Sequence, residues 1–547
     1  MNLPIFGANP PVLADWTKVS PPSVQTLGEL VQWSAQTYGD MMLSEFDGKA
    51  ISHNELDRQS RQLAGVLMAH GIGRTSRVGV LMPNGPEFLV NWFALVRIGA
   101  VAVPISTLSS PIELRGIAAR AGLCLMIATG SYLGHDFAAR IDTAFEFTNR
   151  DGCWASAHAP HLKSVWFTDI DPPAGWARRL DAARMASVPV SDVETAESQV
   201  TAADEATIIF TSGSTALPKG VIHSQGNLVR AGRRWAAVMP YSRDERLFYC
   251  APFFWVGGMV VGFLTMMNSG TFMIGLSSHN ATDILDCVSD RQCHYLKCSA
   301  AAARSLSVEP RLHDRDYSHL KAGSLQAILA PELRTRNQVY FGNSLGMSET
   351  AGPHTVPLRD IVDGFTGSMG PATPGMEHRI VDPETRAVLP DGQRDELQVR
   401  GDTLMLGYVG RERHECFDPD GWFNTGDECE WRDGHLILHG RLDDMIKTSG
   451  ANVAPAEVEA ALTSLPGVEQ ACVTGLPDAE RGAIVVAMII PQPGATLNEA
   501  ELTAGLRQQL SAFKVPRRYA FVSEIPQTAT GKFAKNKVRD LMLGNAI

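Results

Sequence analysis

Short apolar strands that alternate with helical segments constrain the fold of this chain more than any other feature. The segment LDRQSRQLAGVLMAHG places Leu56, Leu63 and Leu67 on one face of a helix, and RVGVLM follows as a short strand. A second helix is expected from about Pro86 to Ile98, followed by the strand AVAVPIS. Because parallel strands need a long crossover, usually a helix, this order predicts a parallel sheet covered by helices.

Local signals refine the ends of these elements. Ser52 and Glu55 have the spacing of a capping box, so reciprocal hydrogen bonds are expected at the start of the first helix, and Gly71 is expected to close it. The alternation recurs with LCLMIAT, TIIFT and TFMIGL as strands. The apolar run Phe253–Met267 is too short for a membrane span and contains glycines, so it predicts a buried helix.

A change of pattern near residue 440 divides the chain. Before it come short, turn-rich strands such as EHRIVD, DELQVRG and LILHGR, and after it comes an α/β unit of about 100 residues. A chain of 547 residues is also too long for a single core. We therefore predict an α/β protein with a large domain over 1–441 and a small α+β domain over 442–547, divided at GRLDDMIK.

Composition argues against several classes of function. A formal net charge of −11 argues against a general nucleic-acid binder. The nine cysteines form neither a CxxC pair nor a Cys/His metal spacing, so buried free thiols in a reducing compartment are expected. No secretory signal and no membrane span are visible, which makes the cytoplasm the expected location.

The segment TIIFTSGSTALPKGVIHS gathers hydroxyl residues, a glycine and one lysine in a single turn between two apolar strands. Backbone N–H groups and hydroxyls in such a turn form a concave anion site, and Lys219 adds a point charge suited to phosphate. The spacing differs from GxxxxGK[ST], and the loop leads into a strand rather than a helix. From these residues alone, a phosphate loop and a surface loop rich in turn formers both remain open.

TSGSTALPKG resembles the phosphate loop of the adenylate-forming (ANL) superfamily, which includes acyl-CoA synthetases, peptide-synthetase adenylation domains and beetle luciferases. Further matching motifs follow in the family's order: LGMSET (Leu345–Thr350), GWFNTGDECEW (Gly421–Trp431), GRLDDMIKTSGANVAPAEVE (Gly440–Glu459) and PQTATGKFAKNKVRD (Pro526–Asp540). The resemblance covers nearly the whole chain. It implies a large domain of parallel-sheet subdomains and a β-rich subdomain, with a small, mobile C-terminal domain.

The resemblance also implies a two-step reaction. A carboxylate attacks the α-phosphate of ATP to give an acyl-adenylate and pyrophosphate, and the thiol of coenzyme A then displaces AMP. The protein must supply mainly positioning and charge neutralisation for this chemistry. ATP and coenzyme A are the implied co-substrates, and Mg²⁺ is the implied metal.

Family roles fall on matching positions of this sequence. Ser348, beside Gly346 of the nucleotide site, matches a threonine that contacts the α-phosphate, and Glu349 matches an acidic Mg²⁺ ligand. Asp427 matches the ribose-binding carboxylate, with Arg441 as its basic partner. The residues implied to hold the β- and γ-phosphates are Thr211, Ser212, Gly213, Ser214, Thr215 and Lys219.

The small domain carries the remaining implied roles. Lys532 matches the lysine that bridges carboxylate and phosphate oxygens during adenylation. Asp443 matches the pivot about which the small domain rotates between the half-reactions. Gly450 and Lys447 match the tunnel for the pantetheine arm of coenzyme A. Taken singly, Lys532 is equally compatible with a solvated surface lysine, and the hinge segment with a charged linker.

Two positions depart from the family pattern. Ala216 replaces a glycine of the phosphate loop, which costs about 1 kcal/mol if the position needs a positive φ. Leu345 replaces the aromatic residue that stacks on adenine. These departures keep a weakly active nucleotide-binding homologue open as an alternative.

The segment APFFWVGGM matches the acyl-pocket region and assigns Phe254, Trp255 and Gly258 to it, with Trp255 either gating the pocket or packing in the core. It lacks the aspartate with which amino-acid-activating members hold an ammonium group. We therefore expect a hydrophobic acid, whether fatty, aromatic, alicyclic or steroid-type. Free coenzyme A is the expected acceptor, and loading of a carrier protein is the alternative. No nucleic-acid partner is expected, and a homodimer is compatible with the resemblance.

Overall fold

A large sheet with mostly parallel strands lies at the centre of the fold. The computed structural model describes residues 15–151, 153–211, 218–278, 280–298, 300–323, 344–356, 368–383, 385–442, 446–453, 455–526, 533 and 535–544. In the centre of this sheet, Arg77–Leu81 pairs in parallel with Val101–Pro104 and with Leu125–Ala128, which confirms the predicted strand–helix–strand unit. In spatial order its described strands are Ala177–Arg179, Ser164–Phe167, Leu125–Ala128, Arg77–Leu81, Val101–Pro104, Glu205–Thr211, Lys219–Ser224 and Gly407–Tyr408.

A second sheet contains the predicted strand TFMIGL, whereas LCLMIAT and TIIFT belong to the first sheet. The strand Arg246–Tyr249 pairs in parallel with Phe272–Gly275 on one side and with Tyr295–Lys297 on the other. In spatial order the described strands are Ala322–Gly323, Tyr295–Lys297, Arg246–Tyr249, Phe272–Gly275, Met42–Phe46 and Lys49–Ser52.

Helices cover both sheets, and their capping agrees only in part with the sequence. Ser52 accepts a hydrogen bond from the Glu55 N–H, as predicted. The predicted reciprocal bond from the Ser52 N–H to the Glu55 carboxylate does not form, because that carboxylate accepts from Arg58 and Gln59 instead. The described α-helices of this part are Leu27–Tyr38, His53–Ala69, Pro86–Val96, Pro111–Ala121, Phe137–Phe145, Val190–Ser198, Gln225–Val238, Thr265–Ser269, Ala281–Asp290 and Ala300–Ser307.

The most apolar stretch forms a buried π-helix, Gly257–Leu264, that runs into the helix Thr265–Ser269. This confirms the predicted buried helix. Within the described part of the chain, no helix is long and apolar enough to cross a membrane. Each cysteine is a free thiol, but the predicted burial holds only for Cys293, Cys429 and Cys472. Cys153 is exposed because it lies in a surface hairpin of two short strands, and the other five cysteines are half-buried.

The predicted short, turn-rich strands EHRIVD, DELQVRG and LILHGR belong to a third sheet, which is antiparallel. Its last strand along the chain ends at Arg441. Residues from Ile446 onward, named here the C-terminal lobe, form separate sheets and the helices Pro455–Thr463, Glu499–Gln509 and Lys535–Leu543. In spatial order the antiparallel sheet contains Ser368–Gly370, His435–Arg441, Phe423–Arg432, Arg394–Gly401 and Met376–Val381. One sheet of the C-terminal lobe contains Val468–Asp478, Gly482–Pro491 and Arg518–Phe521. A hairpin of the lobe pairs Ile446–Thr448 with Ala451–Val453.

A buried cluster of charges joins the lobe to the large part of the molecule. The Lys514 ammonium lies 2.6 Å from Glu113 of the helix Pro111–Ala121 and 2.8 Å from Glu457 of the lobe. Ser511 also donates to Glu113, at 2.6 Å, and Ser110 donates to the Gln509 carbonyl at 3.0 Å. Because these groups are shielded from water, their mutual attraction is stronger than that of surface ion pairs.

Candidate active site

The predicted phosphate loop is the connection of a β-hairpin. The strands Glu205–Thr211 and Lys219–Ser224 are antiparallel, and Thr211 pairs directly with Lys219 at the open end. The structure therefore brings these two predicted residues together and confirms that a strand follows the loop. Ser212, Gly213, Ser214, Thr215 and Ala216 lie outside the described residues.

Tyr408, which the sequence did not single out, connects Lys219 to Glu349. The Lys219 ammonium lies 5.5 Å from the centroid of the Tyr408 ring, and the Tyr408 hydroxyl donates to Glu349 Oε1 at 2.8 Å. Desolvation, and then the negative charge of Glu349, raise the pKa of Tyr408 well above its usual value, so the hydroxyl stays protonated and keeps donating. Tyr408 stands in a two-residue strand, and no sequence motif marks it.

Glu349 is fixed at one carboxylate oxygen and open at the other. It belongs to the short 3-10 helix Ser348–Thr350, and its carbonyl accepts from the Met405 N–H at 2.8 Å. Its Oε2 makes no hydrogen bond to the described residues, and the side chain is half-buried. A positioned carboxylate with a free oxygen is a suitable ligand for a hard cation such as Mg²⁺.

A buried histidine holds the backbone of Ser348. His223 Nε2 lies 2.8 Å from the Ser348 carbonyl oxygen, and Asn227 Nδ2 lies 3.2 Å from His223 Nδ1. Since the Asn227 amide donates, Nδ1 is the acceptor and Nε2–H donates to Ser348. Desolvation lowers the pKa of His223 to about 4, so the ring is neutral at pH 7. His223 lies within the hairpin strand Lys219–Ser224, and no sequence motif indicates its role.

Gly346 has a packing role beside the nucleotide role implied by the resemblance. It pairs with Pro353 across two short antiparallel strands. A Cβ at Gly346 would stand 2.7 Å from the Pro353 Cα and 2.8 Å from the Gly352 backbone. Any side chain there would displace the strand that precedes Ser348. The neighbouring Leu345 is buried in the core.

Asp427 and Arg441 lie opposite each other in the backbone register of neighbouring strands. They are paired residues of the antiparallel strands Phe423–Arg432 and His435–Arg441, and Asp427 is buried. The Leu442 N–H donates to the Gly426 carbonyl at 2.7 Å, which ties the chain after Arg441 to the Thr-Gly-Asp segment. Asp427 is therefore a strand residue rather than a turn residue.

The predicted acyl-pocket residues lie beside a cavity but do not line it. Phe254 is buried and packs edge-on against Trp255 at 5.2 Å, and a Cβ at Gly258 would stand 2.1 Å from the Pro252 carbonyl oxygen. These contacts show packing for Phe254 and Gly258. The lining residues of the cavity are Ala231, Arg234, Trp235, Val260, Ala351, Pro353, Thr373 and Thr403.

In the C-terminal lobe, Lys447 and Gly450 share a hairpin. Lys447 is exposed in the strand Ile446–Thr448. Ser449 and Gly450 form the turn with φ of 49° and 83°, so glycine suits this position for its backbone conformation as well. The predicted pivot Asp443 and the predicted catalytic Lys532 lie outside the described residues.

Known proteins resemble this chain over most of its length. A family model described as AMP-binding enzyme matches residues 31–409, and one described as AMP-binding enzyme C-terminal domain matches residues 457–532. The 3-[(3aS,4S,7aS)-7a-methyl-1,5-dioxo-octahydro-1H-inden-4-yl]propanoyl:CoA ligase of Mycobacterium tuberculosis is 31% identical over 87% of this chain and 91% of that protein. The feruloyl-CoA synthase of an Amycolatopsis species is 30% identical over 90% of this chain and 94% of that protein. The structure of the amide bond synthetase McbA from Marinactinospora thermotolerans is 25% identical, with a TM-score of 0.76 over 93% of this chain and 99% of that chain.

Proposed function

Since this chain belongs to the family of AMP-binding enzymes, we propose that it is an ATP-dependent acid–CoA ligase acting on a hydrophobic carboxylic acid. The observation that carries the proposal is the arrangement of Lys219, Tyr408 and Glu349 at the open end of the hairpin. A cation and a carboxylate there are suited to a metal-bound triphosphate. The ring acids named for the two relatives support an acid with a bulky apolar body.

The reaction requires two displacements. In the first, an oxygen of the acid bonds to the α-phosphorus and the bond to pyrophosphate breaks. In the second, the sulfur of coenzyme A bonds to the acyl carbon, the thiol proton goes to solvent, and AMP leaves with the oxygen it received. Each step needs negative charge to be neutralised where it develops.

Different residues of this chain are proposed to bind the phosphates, the metal, the ribose and the adenine. Lys219, with Thr211 and the loop between them, holds the terminal phosphates, and Ser348 contacts the α-phosphate. Glu349 would hold Mg²⁺ through its free oxygen while Tyr408 fixes the other one. The metal would supply charge neutralisation between phosphates. Asp427 binds the ribose hydroxyls, and Leu345 contributes apolar contact rather than stacking with adenine.

Movement of the C-terminal lobe completes the proposal. The strand that ends at Arg441 belongs to the antiparallel sheet, and the next described strand begins at Ile446 in the lobe. This supports a boundary between 441 and 442 and a pivot at Asp443. Lys532 is proposed to enter the site for adenylation, and the hairpin of Lys447 and Gly450 to serve thioester formation.

The proposed function is tested by incubating the protein with ATP, Mg²⁺ and a panel of fatty, aromatic and alicyclic acids, with and without coenzyme A. Pyrophosphate release that depends on the acid is expected, with an acyl-CoA detected by mass spectrometry when coenzyme A is added. Pyrophosphate without any thioester would favour loading of a carrier protein. A panel in which no acid releases pyrophosphate would contradict the proposal.

Variants connect that activity to the site. Glu349→Gln is expected to slow pyrophosphate release about 100-fold or more because it removes the charged oxygen that would face the metal. Tyr408→Phe, which keeps the ring but not the hydroxyl, is expected to have a smaller effect. Tyr519→Phe, which removes a hydroxyl bonded to Thr503 in the C-terminal lobe, is the matched control.

A further inference from the structure

Lys297 lies at the carboxyl end of a parallel strand in the second sheet. It ends the strand Tyr295–Lys297 and pairs in register with Tyr249. In sheets of this kind, ligands bind beyond the carboxyl ends of the strands. Strand position alone therefore makes Lys297 a candidate for contact with a ligand.

The register fixes the direction in which Lys297 points. Paired residues on neighbouring strands share a face, so Lys297 lies on the same side as Tyr249. The Tyr249 hydroxyl donates to the Gly257 carbonyl at 2.9 Å, and its ring lies against Gly262, both in the π-helix. Lys297 therefore faces the space between the sheet and the π-helix, which is the side on which the cavity lies.

One aromatic side chain connects Lys297 to that cavity. The Lys297 ammonium lies 5.3 Å from the centroid of the Trp235 ring. Trp235 lines the cavity together with Val260 of the π-helix and Ala351, two residues after Glu349. Trp235 therefore lies between Lys297 and the residues that follow Glu349.

The surroundings of Lys297 do not satisfy its charge. It makes no hydrogen bond and no ion pair with the described residues, and burial lowers the pKa of its ammonium to about 8. The face of Trp235 compensates only part of the lost hydration. Arg234, the other cation at the cavity, differs because Asp402 lies 2.5 Å from it. Lys297 is therefore still largely protonated at pH 7 and lacks an anion.

We propose that Lys297 binds a second anionic group of the acid substrate, at the end of the molecule remote from the carboxylate that is activated. This inference rests on the proposed function. It narrows the substrate class from a hydrophobic acid to an acid with an apolar body and a distal carboxylate or other anion. The apolar body would lie along Trp235 and Val260, and the distal anion would replace the water that the ammonium has lost.

The test compares matched pairs of acids that differ only in the second charge: octanoate with octanedioate, and phenylpropanoate with its para-carboxy and para-sulfo derivatives. The quantity compared is the ratio of kcat/KM for the charged member to that for the uncharged one. Lys297→Met is expected to lower this ratio about 30-fold. Lys297→Arg should retain part of it, and Lys163→Met, at an exposed lysine, should leave it unchanged. An unchanged ratio in Lys297→Met would overturn the inference.

A binding measurement separates this inference from the proposed function. Thermal unfolding is followed without nucleotide at increasing concentrations of each acid. The diacids are expected to raise the melting temperature of the wild type and of Lys163→Met more than that of Lys297→Met. If no acid releases pyrophosphate, the proposed function fails, and this difference still decides the role of Lys297. Equal shifts in all three proteins would overturn that role.

Discussion

Two lysines of this chain, the buried Lys514 and the half-buried Lys297, differ in their surroundings, because among the described residues only Lys514 has charged partners. Lys514 lies within 2.8 Å of both Glu113 and Glu457, whereas Lys297 faces only the Trp235 ring among the described residues. A buried charge is tolerated when it is paired and hydrogen-bonded. The comparison indicates a structural role for Lys514 and a partner from outside the chain for Lys297.

The pKa values of the two lysines move in opposite directions. Desolvation lowers the pKa of both ammonium groups. At Lys514, the charges of Glu113 and Glu457 more than offset it, so the pKa is raised. At Lys297 nothing offsets it, and the pKa falls to about 8.

The two carboxylates at Lys514 are not equivalent either. Desolvation raises the pKa of both, but for Glu113 the bonds from Lys514, Ser511 and the Ser110 N–H outweigh it, and the pKa is lowered. At Glu457, Oε1 accepts a hydrogen bond from Lys514, whereas Oε2 has no hydrogen-bond partner among the described residues. Burial therefore raises the pKa of Glu457. With two carboxylates around one ammonium, Glu457 is the group that gains a proton first as the pH falls.

Removing Lys514 should have the largest effect on the stability of the protein. Lys514→Met leaves Glu113 and Glu457 buried without a counter-ion, so we expect the free energy of unfolding to fall by about 3–5 kcal/mol. Calorimetry, which resolves separate transitions, is the appropriate measurement, with Lys163→Met as the control. A loss no larger than that of the control would remove the contrast between the two lysines.

Removing Lys297 should change the free energy of unfolding in the opposite direction. Lys297→Met replaces a half-buried charge, which has no partner among the described residues, by an apolar side chain of similar length. We expect the free energy of unfolding, measured without substrate, to rise by about 2 kcal/mol or less. A clear destabilisation would mean that Lys297 has a structural role like that of Lys514.

The hydrogen bond that distinguishes Glu113 from Glu457 can be removed on its own. Ser511→Ala deletes the 2.6 Å bond to Glu113 Oε2 and should lower the free energy of unfolding by about 1.5 kcal/mol. Ser198→Ala, at an exposed helix end, is a matched control. Equal effects of the two substitutions would show that Ser511 does not support the cluster.

The smallest effect expected within one pH unit is a pH dependence specific to Lys297. Between its pKa of about 8 and the ordinary value of 10.5, the unfolded chain binds more protons than the folded chain. Stability of the wild type should therefore rise with pH relative to Lys297→Met, by at most about 1.4 kcal/mol per pH unit. Lys514 has the opposite sign, because its contribution is present below 10.5 and is lost as the pH rises through its raised pKa. If the difference in free energy of unfolding between wild type and Lys297→Met did not change with pH, the lowered pKa of Lys297 would be contradicted.

Local sequence patterns predicted the parallel strands, the short turn-rich strands before residue 440, the apolar helix and the strand after the phosphate loop. Each depends on periodicity or turn chemistry within a short window. The ordered motifs assigned Thr211 and Lys219 to one phosphate site and Asp427 and Arg441 to one ribose site, and the strand register pairs the two members of each set. The capping box was wrong because nearby Arg58 and Gln59 compete for the Glu55 carboxylate.

Contacts between distant segments could not be predicted in this way. Glu113 and Lys514 are 401 positions apart, and Tyr408 reaches Glu349 across 59. Neither pair is implied by the spacing of residues along the chain. Lys297 likewise appears in HYLKC as an ordinary charged residue, and only the fold shows that no residue in the described part of the chain pairs with it.

The central claim, that a carboxylate is activated by bonding to the α-phosphorus of ATP, is tested most directly by isotope transfer. A substrate acid labelled with heavy oxygen in its carboxylate is incubated with the enzyme, ATP and coenzyme A, and the products are analysed by mass spectrometry. One labelled oxygen is expected in AMP, with none in pyrophosphate, because AMP leaves with the oxygen it received from the acid. Acyl-CoA formation with unlabelled AMP, or with ADP and labelled phosphate, would contradict it.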